Sequence, residues 1–269
     1  MQGRRSRVVD ILSTSGRTDE GGGQSRRGDP KPPGAGKRLV HFLWETAIIL
    51  VIAIVLAALL RGFVVQAFVV PTGSMLPTIQ EGDRIAVTKL GDVDRGDVVV
   101  FEDPGGWLTA AERPAEQTGV LPRFLEFVGV LPATDKGYLV KRLIAEPGDR
   151  VKCCDRNGRV TVNGSPLLEE DYLPPRVEPS DEEFDVVVPK DAVWVMGDNR
   201  PNSRDSRRNE TAFVPLDNLV GEALATVWPV RDWKGLGRPD TFRDVPDRDR
   251  PAPDEPIVRT PSSAGASRG

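Results

Sequence analysis

The sequence predicts a mostly β, antiparallel and partly barrel-like domain, anchored by one N-terminal transmembrane helix and flanked by disordered ends. Three observations favour this fold class. One apolar segment near the N-terminus is long enough to cross a bilayer. Short β-like runs separated by turn residues follow it. Both ends of the 269-residue chain are rich in charged residues, Pro, Gly and Ser.

Residues 1–41 lie before the apolar segment and show no apolar periodicity. Such a composition buries too little apolar surface to offset the entropy of ordering, so we expect a disordered N-terminal segment. The formal net charge of −4 gives no bulk electrostatic basis for nucleic-acid binding. We therefore expect no nucleic-acid partner.

The segment over residues 42–63 reads FLWETAIILVIAIVLAALLRGF and predicts a transmembrane helix. Residues 46–60 carry no charge, and Glu45 and Arg61 lie near the ends, where they reach lipid headgroups. About 20 residues suffice to cross a bilayer. The alternatives are a buried core helix and a cleaved signal peptide. Apolar residues on every side argue against the first, and the long polar region before the segment argues against the second.

Basic residues before the helix predict its orientation. They are Arg26, Arg27, Lys31, Lys37 and Arg38. Because basic flanks stay on the cytoplasmic side, we expect a single-pass plasma-membrane protein with a cytoplasmic N-terminus. The chain after Arg61 is then extracytoplasmic, and the lipid bilayer is an expected partner.

Residues 64–235 show short apolar runs between turn residues, which predict an extracytoplasmic β-rich domain. The pair Asn163-Gly164 lies between two such runs and is typical of a type I′ hairpin turn. The stretch 103–136 breaks this rhythm and is interpreted as an insertion, with a candidate short helix over residues 122–130. The tail over residues 236–269 is again polar and proline-rich, and we expect it to be disordered.

The chain contains a single histidine, His41, at the predicted cytoplasmic edge of the helix. A serine hydroxyl is inert without a base, and histidine is the usual base. Since His41 is expected a bilayer thickness away from the exported domain, histidine-based triads and a His-Glu-x-x-His zinc site are excluded. Cys153 and Cys154 alone are too few for a metal site, and adjacent cysteines rarely form a disulfide, so their redox state stays open. We expect neither a metal nor a cofactor.

The remaining strong base is a lysine made neutral by burial. The run over residues 138–144 predicts a strand in which Lys141 shares one apolar face with Leu139 and Leu143. A solvated edge lysine is the ordinary alternative. Further along, residues 198–207 read DNRPNSRDSR. This run is either a charged surface loop or a network of Arg–Asp pairs that fixes the geometry of a site.

Several stretches, taken in order after the helix, resemble the bacterial type I signal peptidases, which are membrane-anchored Ser/Lys endopeptidases. The stretches are PTGSMLPT (71–78), GDRIAVTK (82–89), RGDVVVF (95–101), YLVKRLIAEPGDRV (138–151) and MGDNRPNSRDSR (196–207). The resemblance extends from about residue 43 to 230. It implies the β-rich fold of that family. It also implies an enzyme that removes signal peptides from exported preproteins, cutting after small-x-small sites through an acyl-enzyme.

The resemblance also implies a role for each matching residue. Ser74 matches the nucleophile, Lys141 the general base, and Ser203 a serine whose hydroxyl helps to hold the lysine amine. Thr72, where many relatives have serine, matches an oxyanion donor that acts with the Ser74 N–H group. Met75 matches an apolar residue that lines the site. Residues expected to support the site are Gly73, Met75, Arg142, Asp198, Asp205 and Arg207.

Preprotein signal peptides that emerge from the export machinery are the partners that the resemblance implies. A self-cleaving repressor-type protease shares the Ser/Lys chemistry, but such proteins are cytosolic and carry a DNA-binding module. A membrane-anchored envelope protein whose β domain binds a partner is the non-enzyme alternative. It predicts that Ser74→Ala leaves function intact.

Overall fold

The first element among the described residues is a helix. A computed structural model describes residues 35–109, 119, 137–209, 212–248 and 251–259. The chain divides into two compact units, residues 1–48 and 49–269. Helix α1 runs over Ala35–Phe63. Its stretch Arg38–Ala57 has a mean hydropathy of 2.4 and is long and apolar enough to cross a membrane. None of that stretch is buried within the protein, which suits contact with lipid.

The start of helix α1 differs from the prediction. Residues 35–41 are helical, so the predicted disorder of residues 1–41 is wrong over that part. Residues 1–34 lie outside the described residues. Once a helix is nucleated in an apolar segment, each added residue gains one backbone hydrogen bond, whereas the first turn orders several residues for one bond. The helix therefore extends backwards into the polar residues Lys37 and Arg38.

Short antiparallel strands follow the helix. In chain order they are β1 (Val65–Val69), β2 (Arg84–Thr88), β3 (Val98–Glu102), β4 (Tyr138–Ala145), β5 (Arg150–Cys153), β6 (Thr161–Val162), β7 (Ser165–Pro166), β8 (Phe184–Val187), β9 (Ala192–Met196), β10 (Val214–Pro215), β11 (Leu219–Trp228), β12 (Lys234–Gly235) and β13 (Ile257–Val258). The larger sheet has eight strands in the order β1-β2-β11-β3-β4-β9-β10, with β12 paired to β11. The smaller sheet has five, in the order β13-β8-β5-β6-β7.

The long strand β11 curls the larger sheet. It pairs with β2, β3 and β12. Its register shifts twice against β2, between Ala223 and Ala225 and between Thr226 and Trp228. Such shifts are typical of β-bulges, which bend a strand and increase its twist. The predicted fold class, mostly antiparallel β with partial barrel-like curvature, is confirmed.

The smaller sheet contains the predicted hairpin turn. Asn163 and Gly164 both have positive φ angles, 53° and 86°, between β6 and β7. Two consecutive left-handed residues are the signature of a type I′ turn, which matches the twist of the flanking strands. The Asn-Gly pair therefore forms the tight turn that the sequence predicts.

Strand β4 lies in the interior of the larger sheet and is buried on both faces. It pairs with β3 over Tyr138 to Arg142, and with β9 through residues 142–145. Leu139 and Leu143 pack in one apolar cluster, and Val140 packs in another. Side chains from both faces of β4 are consequently shielded from water.

The tail differs from the prediction of disorder. Leu236, Phe242 and Val245 are buried, and β13 pairs with β8. The predicted disorder is therefore wrong over the described residues 236–248 and 251–259. Burying one large apolar side chain contributes about 1.5–3 kcal/mol. A few such side chains hold a segment whose average composition is polar.

The predicted insertion connects β3 to β4. Of residues 103–136, the structure describes 103–109 and 119, so the candidate helix over 122–130 lies outside the described residues. On β5 and just beyond it, Cys153 and Cys154 are joined by a disulfide, although adjacent cysteines rarely pair.

Candidate active site

Strand β4 presents two consecutive basic side chains to opposite faces of the sheet. Lys141 and Arg142 are each only 2% exposed. Because side chains alternate along a strand, Lys141 lies on the face of Leu139 and Leu143, as predicted. Arg142 lies on the opposite face with Val140. Two buried basic side chains therefore enter different environments from adjacent positions.

Ser74 meets Lys141 across a long separation in sequence. It lies in a 3-10 turn over Gly73–Met75 and is 8% exposed. Nζ of Lys141 lies 2.7 Å from Oγ of Ser74 and 3.0 Å from the carbonyl oxygen of Val140. An amine within hydrogen-bond reach of a hydroxyl has the geometry that a general base needs.

The three residues beside Ser74 have different surroundings. The Thr72 hydroxyl lies near Ser74, with Oγ1 of Thr72 3.4 Å from Oγ of Ser74. At Gly73, a Cβ atom would approach Cδ1 of Leu76 to 2.9 Å, so the absence of a side chain permits close packing. Met75 is fully buried in the cluster that contains Val140 and does not line the cavity at Ser74. Met75 thus supports the turn from within the core rather than lining the site.

The loop after β9 holds the turn that carries Ser74. The backbone N–H of Asn199 donates to the Ser74 carbonyl at 3.0 Å, and its side-chain amide donates to the Gly73 carbonyl at 2.9 Å. A Cβ atom at Gly197 would lie closer than 3 Å to both Ser203 and the Ser74 carbonyl oxygen. Sequence reasoning gave Gly197 and Asn199 no role, although both lie in the stretch MGDNRPNSRDSR.

Ser203 lines the same cavity as Ser74 and Lys141. It is 1% exposed, and its hydroxyl forms no hydrogen bond among the described residues. A buried hydroxyl without a partner is uncommon and is costly when it stays unsatisfied. The hydroxyl is thus placed at the cavity and close to the Asp205 carboxylate, whose pKa it helps to lower.

Arg142 forms a buried ion pair with Asp198. Nε and Nη2 of Arg142 donate to the two carboxylate oxygens at 2.9 and 2.6 Å, and Nη1 donates to the Gly96 carbonyl at 2.7 Å. The Thr78 hydroxyl donates to the same carboxylate at 2.5 Å. Burial would lower the pKa of Arg142, but Asp198 outweighs it and raises that pKa above its ordinary value. The pair anchors the loop after β9 to β4.

Asp205 and Arg207 form a second buried pair. Arg207 donates through Nε and Nη2 to the two oxygens of Asp205, each at 2.9 Å. The Gly197 N–H donates to the same carboxylate at 3.0 Å. Burial would raise the pKa of Asp205, but the Arg207 guanidinium outweighs it and holds that pKa below its ordinary value. The pair of Asp205 and Arg207 holds the C-terminal end of the loop after β9.

The cavity that contains Ser74 and Lys141 has a volume of about 420 Å³. Its lining includes the apolar side chains of Trp107, Leu108 and Leu139 and the polar side chains of Asn202, Ser203 and Arg208. A cleft of this size accommodates a short extended peptide segment. Among the described residues, no group of three or more His, Cys, Asp or Glu side chains could hold a metal ion.

Comparison with known families decides what this arrangement belongs to. The model of the family described as signal peptidase, peptidase S26, matches residues 43–228. The chain belongs to this signal peptidase family. Membership makes it a hydrolase of the protease class that processes signal peptides. The apolar helix α1 is consistent with membrane anchoring of a signal peptidase.

Named relatives agree with the family assignment. A probable signal peptidase I of Mycobacterium leprae is 37% identical over 72% of this chain and 79% of its own. Signal peptidase I of Mycobacterium tuberculosis strain H37Rv is 37% identical over 78% of this chain and 80% of its own. A probable signal peptidase I-1 of Synechocystis is 37% identical over 77% of this chain and 92% of its own.

A third buried charge network in this signal peptidase was missed by sequence reasoning. Arg200 pairs with Glu169 at 2.5 Å and donates from Nε to the Gly197 carbonyl at 3.1 Å. The Tyr172 hydroxyl donates to Glu169 at 2.6 Å, and the Arg142 guanidinium lies 4.4 Å from the centre of the Tyr172 ring. Glu169 and Tyr172 lie outside the stretches that carry the family resemblance, so no motif indicated them.

Proposed function

We propose that Ser74 and Lys141 are the catalytic dyad of a membrane-bound serine endopeptidase that removes N-terminal signal peptides from exported preproteins. The observation that carries this proposal is the 2.7 Å separation between Nζ of Lys141 and Oγ of Ser74, both on buried residues. The family assignment supports the substrate class.

Burial supplies the condition that a lysine base requires. A buried ammonium loses its hydration, so apolar surroundings favour the neutral amine. Lys141 lies on the face of β4 whose cluster contains Leu139 and Leu143. The neutral amine accepts the Ser74 proton while Oγ attacks the carbonyl carbon of the scissile bond.

The acyl-enzyme then forms and breaks in two stages. The Thr72 hydroxyl and the Ser74 N–H group donate to the oxygen that becomes negative in the tetrahedral intermediate. Lys141 returns its proton to the leaving amine, and the carbonyl stays bonded to Oγ. Lys141 next takes a proton from water, whose oxygen attacks the ester carbon. Lys141 then gives this proton to Oγ of Ser74 as the ester bond breaks and the new C-terminus leaves. In this scheme the Ser203 hydroxyl orients the amine between the two stages.

The edge of β4 provides a place for an extended substrate. Strand β9 pairs with β4 only through residues 142–145, whereas β3 pairs through residues 138–142. Leu139 and Lys141, just before the stretch of β4 that pairs with β9, line the cavity beside Ser74. A cleavage segment that adds to this edge would place small residues at the first and third positions before the cut, while larger residues clash.

We propose that this enzyme is a single-pass plasma-membrane protein with its N-terminus in the cytoplasm. The basic residues before α1 support this orientation through the positive-inside rule. Protease added to intact spheroplasts should remove an epitope at the C-terminus and spare one at the N-terminus. The reverse result would exclude the proposed orientation.

Two substitutions test the dyad. Ser74→Ala and Lys141→Ala, each in the full-length chain in detergent micelles, should reduce preprotein cleavage by about 10³-fold or more. Lys152→Ala, at an exposed lysine of β5, is the matched control and should cleave at the normal rate. Normal cleavage by either dyad variant would contradict the proposal. If preprotein is cut by no version of the chain, the non-enzyme alternative gains support.

A further inference from the structure

The first residues of the insertion form a fixed loop above β4. The carboxylate of Asp103 accepts hydrogen bonds from the N–H groups of Gly105, Trp107 and Leu108 at 3.0, 3.1 and 3.3 Å. The Asp103 N–H donates to the Gly137 carbonyl at 2.9 Å and closes the base of the insertion. One carboxylate that accepts three nearby backbone N–H groups holds these residues together as a turn.

Trp107 and Leu108 are packed against rigid neighbours. Trp107 is 1% exposed, and its ring meets Phe101 edge to face, with the ring centres 5.5 Å apart. Leu108 lies directly over Gly137, where a Cβ atom would approach its Cδ1 to 2.5 Å. Both belong to the apolar cluster that contains Leu139. Side chains packed in this way yield little to a ligand that presses on them.

The same two side chains reach the catalytic cavity. Trp107 and Leu108 line the cavity of about 420 Å³ together with Ser74 and Lys141. A substrate whose scissile carbonyl lies at Ser74 must therefore place at least one nearby side chain towards them. The proposed mechanism uses neither residue, and neither lies in a stretch that resembles the family.

We propose that Trp107 and Leu108, together called the insertion wall, are specificity-determining residues. They limit the size of one substrate side chain flanking the scissile bond. This inference rests on the proposed function, because it requires cleavage at Ser74. A fixed apolar wall discriminates by exclusion: a small side chain fits beside it, and a larger one clashes. One methylene group in such a pocket changes kcat/KM by about 10–200-fold.

The test uses full-length protein in detergent micelles and synthetic peptides with a small-x-small cleavage segment. Each of the three residues before the cut and the two after it is changed in turn from Ala to Val, Leu and Phe. The measured quantity is the ratio of kcat/KM for the enlarged peptide to kcat/KM for the Ala peptide. Trp107→Phe and Leu108→Ala should raise this ratio at least about tenfold at one position.

Two further variants complete the design. Leu108→Phe enlarges the wall and should lower the ratio at the same position. Leu224→Ala, at an exposed leucine of β11 outside the cavity, should leave every ratio unchanged. Thermal melting confirms that each variant is folded, and Leu108→Val provides a milder change if a larger one prevents folding.

The outcomes separate this inference from the proposed function. If the folded variants that cleave the Ala peptide show unchanged ratios at all positions, that result would overturn the proposed role of the insertion wall and leave the dyad intact. Equal relaxation at every position would also overturn it, because that result indicates a loosened fold. If Ser74→Ala cleaves the Ala peptide as fast as the unaltered chain, the proposed function itself fails.

Discussion

Lys141 and Arg142 are neighbours on β4 and equally buried, yet the contacts of their side chains differ. Lys141 contacts a hydroxyl and a backbone carbonyl through Nζ. Arg142 forms two hydrogen bonds with the carboxylate of Asp198. A carboxylate fixes the positive charge of its partner, whereas neutral oxygens leave an amine able to exchange a proton. We propose that these contacts, rather than the depth of burial, give Lys141 a chemical role and Arg142 a structural one.

Matched replacement by methionine gives the largest expected contrast. Lys141→Met keeps the volume and removes the amine, so cleavage should fall by about 10³-fold or more while the free energy of unfolding changes by less than about 1.5 kcal/mol. Arg142→Met leaves the Asp198 carboxylate buried without its cation and should lower the free energy of unfolding by about 3–5 kcal/mol. Urea unfolding and preprotein cleavage measure both effects.

The contrast would fail if the two variants behaved alike. Suppose that Lys141→Met loses as much stability as Arg142→Met. Lys141 would then have a structural role, like Arg142. The double variant Arg142→Met with Asp198→Leu should recover much of the lost stability, since a fully apolar pair leaves no buried charge.

Thr72→Val tests the proposed oxyanion donor, and its expected effect is smaller than that of Lys141→Met. The substitution keeps the branched shape and removes only the hydroxyl, so kcat should fall by about 10²-fold. Thr72→Ser restores a hydroxyl and should recover most of that loss. Equal kcat values for the valine and serine variants would mean that the Thr72 hydroxyl does not stabilise the oxyanion.

The ion pair of Asp205 and Arg207 should make the stability of the fold depend on pH. The folded-state pKa of Asp205 lies below its ordinary value, because the Arg207 guanidinium outweighs the effect of burial. The pair therefore stabilises the fold above about pH 4, the ordinary aspartate range. That contribution is lost as the pH falls further, through the lowered pKa.

Asp205→Asn should reduce this acid-dependent loss. Free energies of unfolding measured at about pH 6 and about pH 3 would show a smaller difference in the variant than in the unaltered chain. An unchanged difference would mean that other carboxylates account for the acid sensitivity.

Local patterns in the sequence predicted the parts of the site that depend on one strand or one turn. Alternation along residues 138–144 placed Lys141 with Leu139 and Leu143, and the Asn163-Gly164 pair predicted its hairpin. The family resemblance singled out Ser74 and Lys141 together, which no periodicity could do. Their separation of 67 residues is closed only by the folded sheet.

Other parts could not be predicted because they depend on which distant residues meet. Arg200 and Glu169 lie 31 residues apart, and nothing in the local pattern selects one for the other. Trp107 lies in the first part of the insertion, before the candidate helix over residues 122–130, where no pattern indicates a strand or a helix. In the tail, Phe242 is an isolated apolar residue among charges, and its burial depends on a core built elsewhere.

Lys141→Arg is the most direct test of the central claim that a neutral lysine activates Ser74. Arginine keeps a long side chain and its positive charge, but it does not lose its proton in proteins. The single-turnover rate of preprotein cleavage is the quantity to measure, with folding verified by thermal melting. The account predicts a fall of about 10³-fold or more in this rate. A rate within about tenfold of the unaltered enzyme would contradict proton transfer to Lys141.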